Sequence, residues 1–179
     1  MKTLGMQKVR NWSRWLGLVS RFWLVGGPVT MVAQWLALPV LPGGMAKHLL
    51  DAEAKVITWR VQLLGILSSL PSMAVHVLLF LQLVRLLDLW KEGQFLQQDS
   101  ARCFRRMGSL FLVGTLVEIA SRPLHTLALT IDNPPGQRAL RIGLGSDDVR
   151  TVFLGLFLWM LASIMALGTR YREETELTV

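Results

Sequence analysis

The sequence predicts an all-α membrane protein with four transmembrane helices, and three observations predict it. Uncharged apolar runs recur along the chain, from Arg21 to Lys47, from Arg60 to Arg85 and from Arg150 to Arg170. A fourth run, between Arg106 and Asp132, contains only Glu118 and Arg122 as charges. At 1.5 Å per helical residue, about 20 residues cross a hydrocarbon core of roughly 30 Å, so every run is long enough to span. Composition agrees, with 52% hydrophobic residues and a mean hydropathy of +0.43 over 179 residues. One integral membrane domain over residues 1–179 is expected.

The third observation is where the charges fall. A net charge of +7 and a pI near 10.5 would suggest nucleic acid in a soluble protein, but here the basic residues flank the apolar runs. Lys2, Lys8, Arg10, Arg14 and Arg21 precede the first, Arg85, Lys91, Arg102, Arg105 and Arg106 lie between the second and third, and Arg170 and Arg172 follow the fourth. These are twelve, against six in the alternate loops. The positive-inside rule therefore places both termini in the cytoplasm. The lipid bilayer is the expected partner and nucleic acid is not.

The elements follow in order. Residues 1–14 are basic and polar, with Trp12 and Trp15 suited to the membrane interface. The basic start resembles a secretory signal, but the apolar run is too long and lacks a small-residue cleavage site, so a retained span is expected. Helix one is expected over 15–38, bent where Gly26, Gly27 and Pro28 interrupt it and stopped by Pro39 and Pro42. The two glycines are read as close-packing positions. After a turn at 41–44, residues 46–54 are a candidate short polar helix. Residues 55–62, KVITWRVQ, alternate and are rich in β-branched and aromatic types, which predicts a short strand.

Helix two is expected over 69–90, started by Ser69 with Pro71 in its first turn and stopped by Gly93. Helix three, over 100–130, takes Asp99 or Ser100 as its cap and bends at Pro123. The turn signal DNPPG at 132–136 leads into RALRIGLG at 138–145, a second strand candidate. Ser146 is expected to cap helix four, over 146–168, with Asp147 and Asp148 favourable at its first turn and a cytoplasmic tail at 169–179. The two alternating stretches share a hydrophobic-Arg-aliphatic core, so a small extracytoplasmic two-stranded β ribbon is expected, with chance similarity weighed equally.

Chemistry concentrates in the third run. A charge at bilayer depth costs about 2.5 to 3.5 kcal/mol, so Glu118 and Arg122 should face protein or water and pair. Four apart on a helix, they share a face with the acid N-terminal to the base, the better orientation. His125 lies on the same helix, and His76 of helix two lies at the level of Glu118, both about 14 to 18 Å from the cytoplasmic interface at 1.5 Å per residue. Glu118, Arg122, His76 and His125 are the candidate intramembrane polar site, and a structural pair that fixes helix register is the competing reading. The single Cys103 has no second thiol and is read as inert. No Gly-rich phosphate loop, His-Glu-x-x-His, Cys pair or nucleophile with a nearby base is present, so no enzyme, cofactor or metal site is expected.

Two stretches carry a resemblance. LWKEGQFLQQDSARCFRRMG at 89–108 has a glycine-phenylalanine step followed by a basic helix start ending in glycine, and LASIMALGTRYREETELTV at 161–179 ends in a glycine, acids and Leu-Thr-Val. In these the chain resembles the DUF2975 family of bacterial membrane proteins of unknown function, departing from it at 169–171. The resemblance implies a four-helix protein of the bacterial inner membrane and supplies no activity or catalytic residue. Members often look like neighbours of small helix-turn-helix regulators, which implies signalling. Glu173, Glu174, Glu176, Leu177, Thr178 and Val179 form a candidate interaction tail on the side of the Arg102, Arg105 and Arg106 cluster, with a solvated spacer as the competing reading. An interaction, sensory or accessory subunit is expected, with a cytoplasmic protein partner and further copies of the chain both open. The alternative is a small transporter or pore component using Glu118 and Arg122.

Overall fold

The computed structural model describes residues 2–40, 57–95, 97–134, 136, 138, 140 and 142–176. They form helices α1 (Lys2–Ala37), α2 (Trp59–Lys91), α3 (Gln98–Thr130) and α4 (Ser146–Glu176). All four are long and apolar enough to cross a membrane. No more than 22% of the most apolar stretch of any of them is buried. Phe22 on α1 and Phe153 on α4 are 77% and 69% exposed. Such surfaces are unfavourable in water and ordinary against lipid, so the fold is consistent with a multi-pass membrane protein.

Each helix packs on its chain neighbour: α1 on α2, α2 on α3 and α3 on α4. Neighbours run antiparallel, so the starts of α1 and α3 and the ends of α2 and α4 lie at one end of the row, here the terminal end, and their opposite ends lie at the other, the loop end. Two apolar clusters hold the row together. Trp35, Leu38, Val61 and Leu129 join α1, α2 and α3 at the loop end. Leu86, Cys103, Met107 and Leu158 join α2, α3 and α4 at the terminal end.

Close approach of α3 and α4 depends on two glycines facing each other. A Cβ on Gly108 would stand 2.7 Å from the Gly155 carbonyl oxygen, and one on Gly155 would stand 3.0 Å from that of Gly108. On the other seam Gly65 of α2 gives way to the Trp35 ring, which a Cβ would approach to 2.2 Å. Gly26 and Gly27, expected to pack helices, have only Phe22 and Trp23 of their own helix at contact distance. The packing glycines are those that meet another helix.

Helix starts and stops correct several expectations. Among the described residues there is no strand: α2 begins at Trp59, ten residues before the expected start, and takes in residues 59–62, half of the first strand candidate. Thr58 decides this, since its Oγ1 accepts from the Val61 amide at 3.4 Å as an N-cap and also donates to Asp132 at the end of α3. Residues 46–54 and 55–56 lie outside the described residues, as do 139 and 141 of the second candidate, whose remaining residues are irregular up to the start of α4. Helices α1 and α3 continue through Pro28 and Pro123, and α4 extends past 168 to Glu176. The cap of α3 is Gln97, and Ser100 instead donates to the Gln94 carbonyl at 2.8 Å. Gly93 does stop α2: at φ +81° it places the Gln94 amide on the Leu89 carbonyl, 3.0 Å, and its own on that of Trp90, 3.1 Å.

Candidate functional site

Between the two apolar clusters lies a polar layer drawn from α2, α3 and the start of α4. On α2, Ser69 and Ser72 are one turn apart, near the level where α3 brings Glu118, Arg122 and His125. Three groups of hydrogen bonds result. The Ser72 hydroxyl donates to Glu118 Oε2 at 3.0 Å. The Ser69 oxygen accepts from Trp35 Nε1 at 3.0 Å and lies 3.1 Å from His125 Nε2, while its proton points to the Gly65 carbonyl at 2.8 Å. The rings of Trp35 and His125 lie 6.3 Å apart.

The third group concerns Arg122. Its guanidinium forks onto Asp148, Nη1 to Oδ2 at 2.7 Å and Nη2 to Oδ1 at 2.6 Å, and Nη1 also donates to the Gly143 carbonyl at 3.0 Å. The Asp148 side chain is 5% exposed and that of Arg122 27%. Asp148 in turn accepts the Gly145 amide at 2.6 Å, the reach of a third helical residue back to its cap position, so α4 is capped through Asp148 with Ser146 as its first helical residue. One carboxylate thus closes the start of α4 and ties it to α3.

The expected Glu118 to Arg122 pair is therefore corrected. The residues share the face of α3 as their spacing requires, but Arg122 turns to Asp148, whose two carboxylate oxygens take its fork. Glu118 takes Ser72 instead. His76 is also displaced from the role expected of it: its Nδ1 donates to the Ser72 carbonyl at 2.8 Å, so it meets Glu118 only through Ser72, one turn away. His125 joins the Ser69 group. Asp148, Ser69, Ser72 and Trp35 escaped the sequence reading. Asp148 carried a signal, an acid at the head of the helix after Arg122, which was absorbed by the helix-dipole explanation.

The layer borders two cavities. One, of about 520 Å³, opens at the loop end and is lined by Gln34, Glu118, Arg122, His125, Thr126 and the 143–147 backbone, among others. The other, of about 340 Å³, lies between α1 and α2 against Trp23, Pro28, Met73, Val77 and Phe80, with His76 on its wall. Met31, Gln34, Ser69 and His125 line both. Among the described residues no group of three or more His, Cys, Asp and Glu side chains is placed to hold a metal ion. At the opposite end, the candidate tail begins on α4, whose helical backbone carries Glu173, Glu174 and Glu176; Leu177, Thr178 and Val179 lie outside the described residues.

The chain belongs to the DUF2975 family, a family of proteins of unknown function, whose model matches residues 23–179. Among curated proteins and solved structures none matches the chain.

Proposed function

We propose that the protein is a sensory or accessory subunit of the bacterial inner membrane, with both termini cytoplasmic and no catalytic step of its own. The observation that carries this reading is the Arg122 to Asp148 clasp beside the 520 Å³ cavity, on a helix whose far end is the tail. A bidentate pair of this kind is either made or broken, which suits a switch. A ligand that entered the cavity and competed for either partner would release the first turn of α4 from α3. The Gly108 and Gly155 contact would then act as the pivot, and the movement would reach the tail through a continuous helix. The differential affinity of the ligand for the two states sets how far the equilibrium moves. Glu173, Glu174, Glu176, Leu177, Thr178 and Val179 are the residues proposed to engage a cytoplasmic protein. Lipid covers the open faces of the row, and further copies of the chain are the other candidate for its outer edges.

The test is capture of a cytoplasmic protein by the full chain, by a chain ending at Arg172, and by Asp148→Asn. Loss on truncation and a changed yield with Asp148→Asn are expected. If the truncated chain captures every partner that the full chain does, the tail is a spacer and the reading fails.

A small transporter using Glu118 and Arg122 is the second reading, favoured by an acid beside a cavity at membrane depth. Against it, the seam toward the terminal end is filled by Leu86, Cys103, Met107 and Leu158. Ion flux in liposomes that disappears with Glu118→Gln would establish it over the first.

A further inference from the structure

A second charged cleft lies at the terminal end, away from the Arg122 clasp. It has a volume of about 530 Å³ between α2 and α3, and its lining includes Arg102, Arg105 and Arg106 together with Gln82, Leu78 and Leu110. The spacing 102, 106, 110 puts two guanidiniums and a leucine in line down one face of α3. Arg102 is held by Asp99 at 3.1 Å, and Arg105 lies over the Trp159 ring at 5.4 Å. Arg106 has no acid within ion-pair distance among the described residues. Gln82 is nine residues before the end of α2 and Arg106 eight after the start of α3, which sets them at nearly the same level across the seam. The Gln82 Oε1 atom is buried there without a hydrogen-bond partner.

Three cations over an apolar floor match one kind of partner, an anion with hydrocarbon attached. The level agrees. Some 20 residues of α3 from Met107 onward fill a bilayer core of about 30 Å, which leaves the three arginines among the headgroups. We propose that this cleft seats one anionic phospholipid, its phosphodiester between Arg102 and Arg106, its acyl chains along Leu78 and Leu110, and a headgroup hydroxyl donated to Gln82. The unpaired acceptor favours phosphatidylglycerol, whose glycerol supplies that hydroxyl. Basic pockets between transmembrane helices hold anionic headgroups in this way.

Native mass spectrometry of the full chain released from detergent reads the lipid retained. One phosphatidylglycerol per chain is expected, with phosphatidylcholine lost, and inorganic phosphate in large excess should not displace it. The double variant Arg102→Gln, Arg106→Gln should cut retention about tenfold, the scale of one or two charge-assisted hydrogen bonds. Arg85→Gln, at the same end but outside the cleft, should retain lipid as the parent does. Gln82→Leu leaves every charge in place and should lose the preference for a hydroxyl-bearing headgroup, which carries the test if the double variant does not fold. Equal retention of phosphatidylcholine, equal loss in Arg85→Gln, or displacement by phosphate alone would each overturn the proposal.

Discussion

The choice Arg122 makes between two acids sets the energetics of the polar layer. Its fork on a nearly buried Asp148 uses both carboxylate oxygens. Asparagine in that place keeps one amide oxygen for the fork but removes the adjacent negative charge and one bond, and hydrogen bonds to charged groups contribute about 1.5 to 3 kcal/mol each. Asp148→Asn should therefore lower stability by about 2 kcal/mol, seen as a lower melting temperature in detergent. Adding Arg122→Gln should recover part of the loss, because the orphaned charge is then gone. Glu118→Gln should behave differently. An amide oxygen still accepts from Ser72, and a charge at membrane depth disappears, so melting should stay level or rise. A loss in Glu118→Gln as large as that in Asp148→Asn would mean that Glu118, and not Asp148, is the counter-charge of Arg122.

Among the elements, α3 and α4 are held together by the absence of side chains at one crossing. A methyl group on Gly108 would press on the Trp159 ring and on the Gly155 carbonyl, and the backbone has no easy retreat. Overpacking of this kind costs about 1 to 3 kcal/mol, so Gly108→Ala should destabilise by that amount in chemical or thermal unfolding, while Gly168→Ala, which meets open space, should not. Equal melting of the two variants would rule out the glycine contact. Gly108 ends one of the two stretches that carry the resemblance, but nothing in the sequence marks it or Gly155 as a packing position, since a helix can carry a glycine anywhere and only the partner helix gives it meaning. The four helices were legible because charge-free runs of membrane length admit few other folds. The start of α2 was not: KVITWRVQ alternates as a strand does, yet it merges with an apolar run and contains the capping Thr58, and satisfying the first-turn amides outweighed the local period. The site was half legible for a related reason. Glu118, Arg122 and His125 are conspicuous because their surroundings are apolar, whereas serines in a membrane helix usually bond their own backbone. Ser69 does so and bonds Trp35 as well.

For the whole molecule, the remaining freedom is which way it faces. The antiparallel row sets the start of α1 and the end of α4 on one side, because the end of α1 and the starts of α2 and α4 lie together at the other end. Charge then chooses between two orientations: twelve lysines and arginines flank the spans on the terminal side and six on the loop side. By the positive-inside rule a bias of that size predicts the richer side in the cytoplasm. The same orientation would set the Arg102, Arg105 and Arg106 cluster, which lines the cleft proposed to seat an anionic lipid, in the leaflet where anionic lipid is enriched. Fusion of alkaline phosphatase after Val179 should accordingly be inactive and fluorescent protein at the same site bright, while phosphatase inserted at Gly136, in the turn before α4, should be active. An active phosphatase at Val179 would invert the protein and set the Arg122 cavity facing the cytoplasm. The clasp would then be open to cytoplasmic ligands and the tail to an outside partner, so this one measurement decides which compartment the proposed sensor samples.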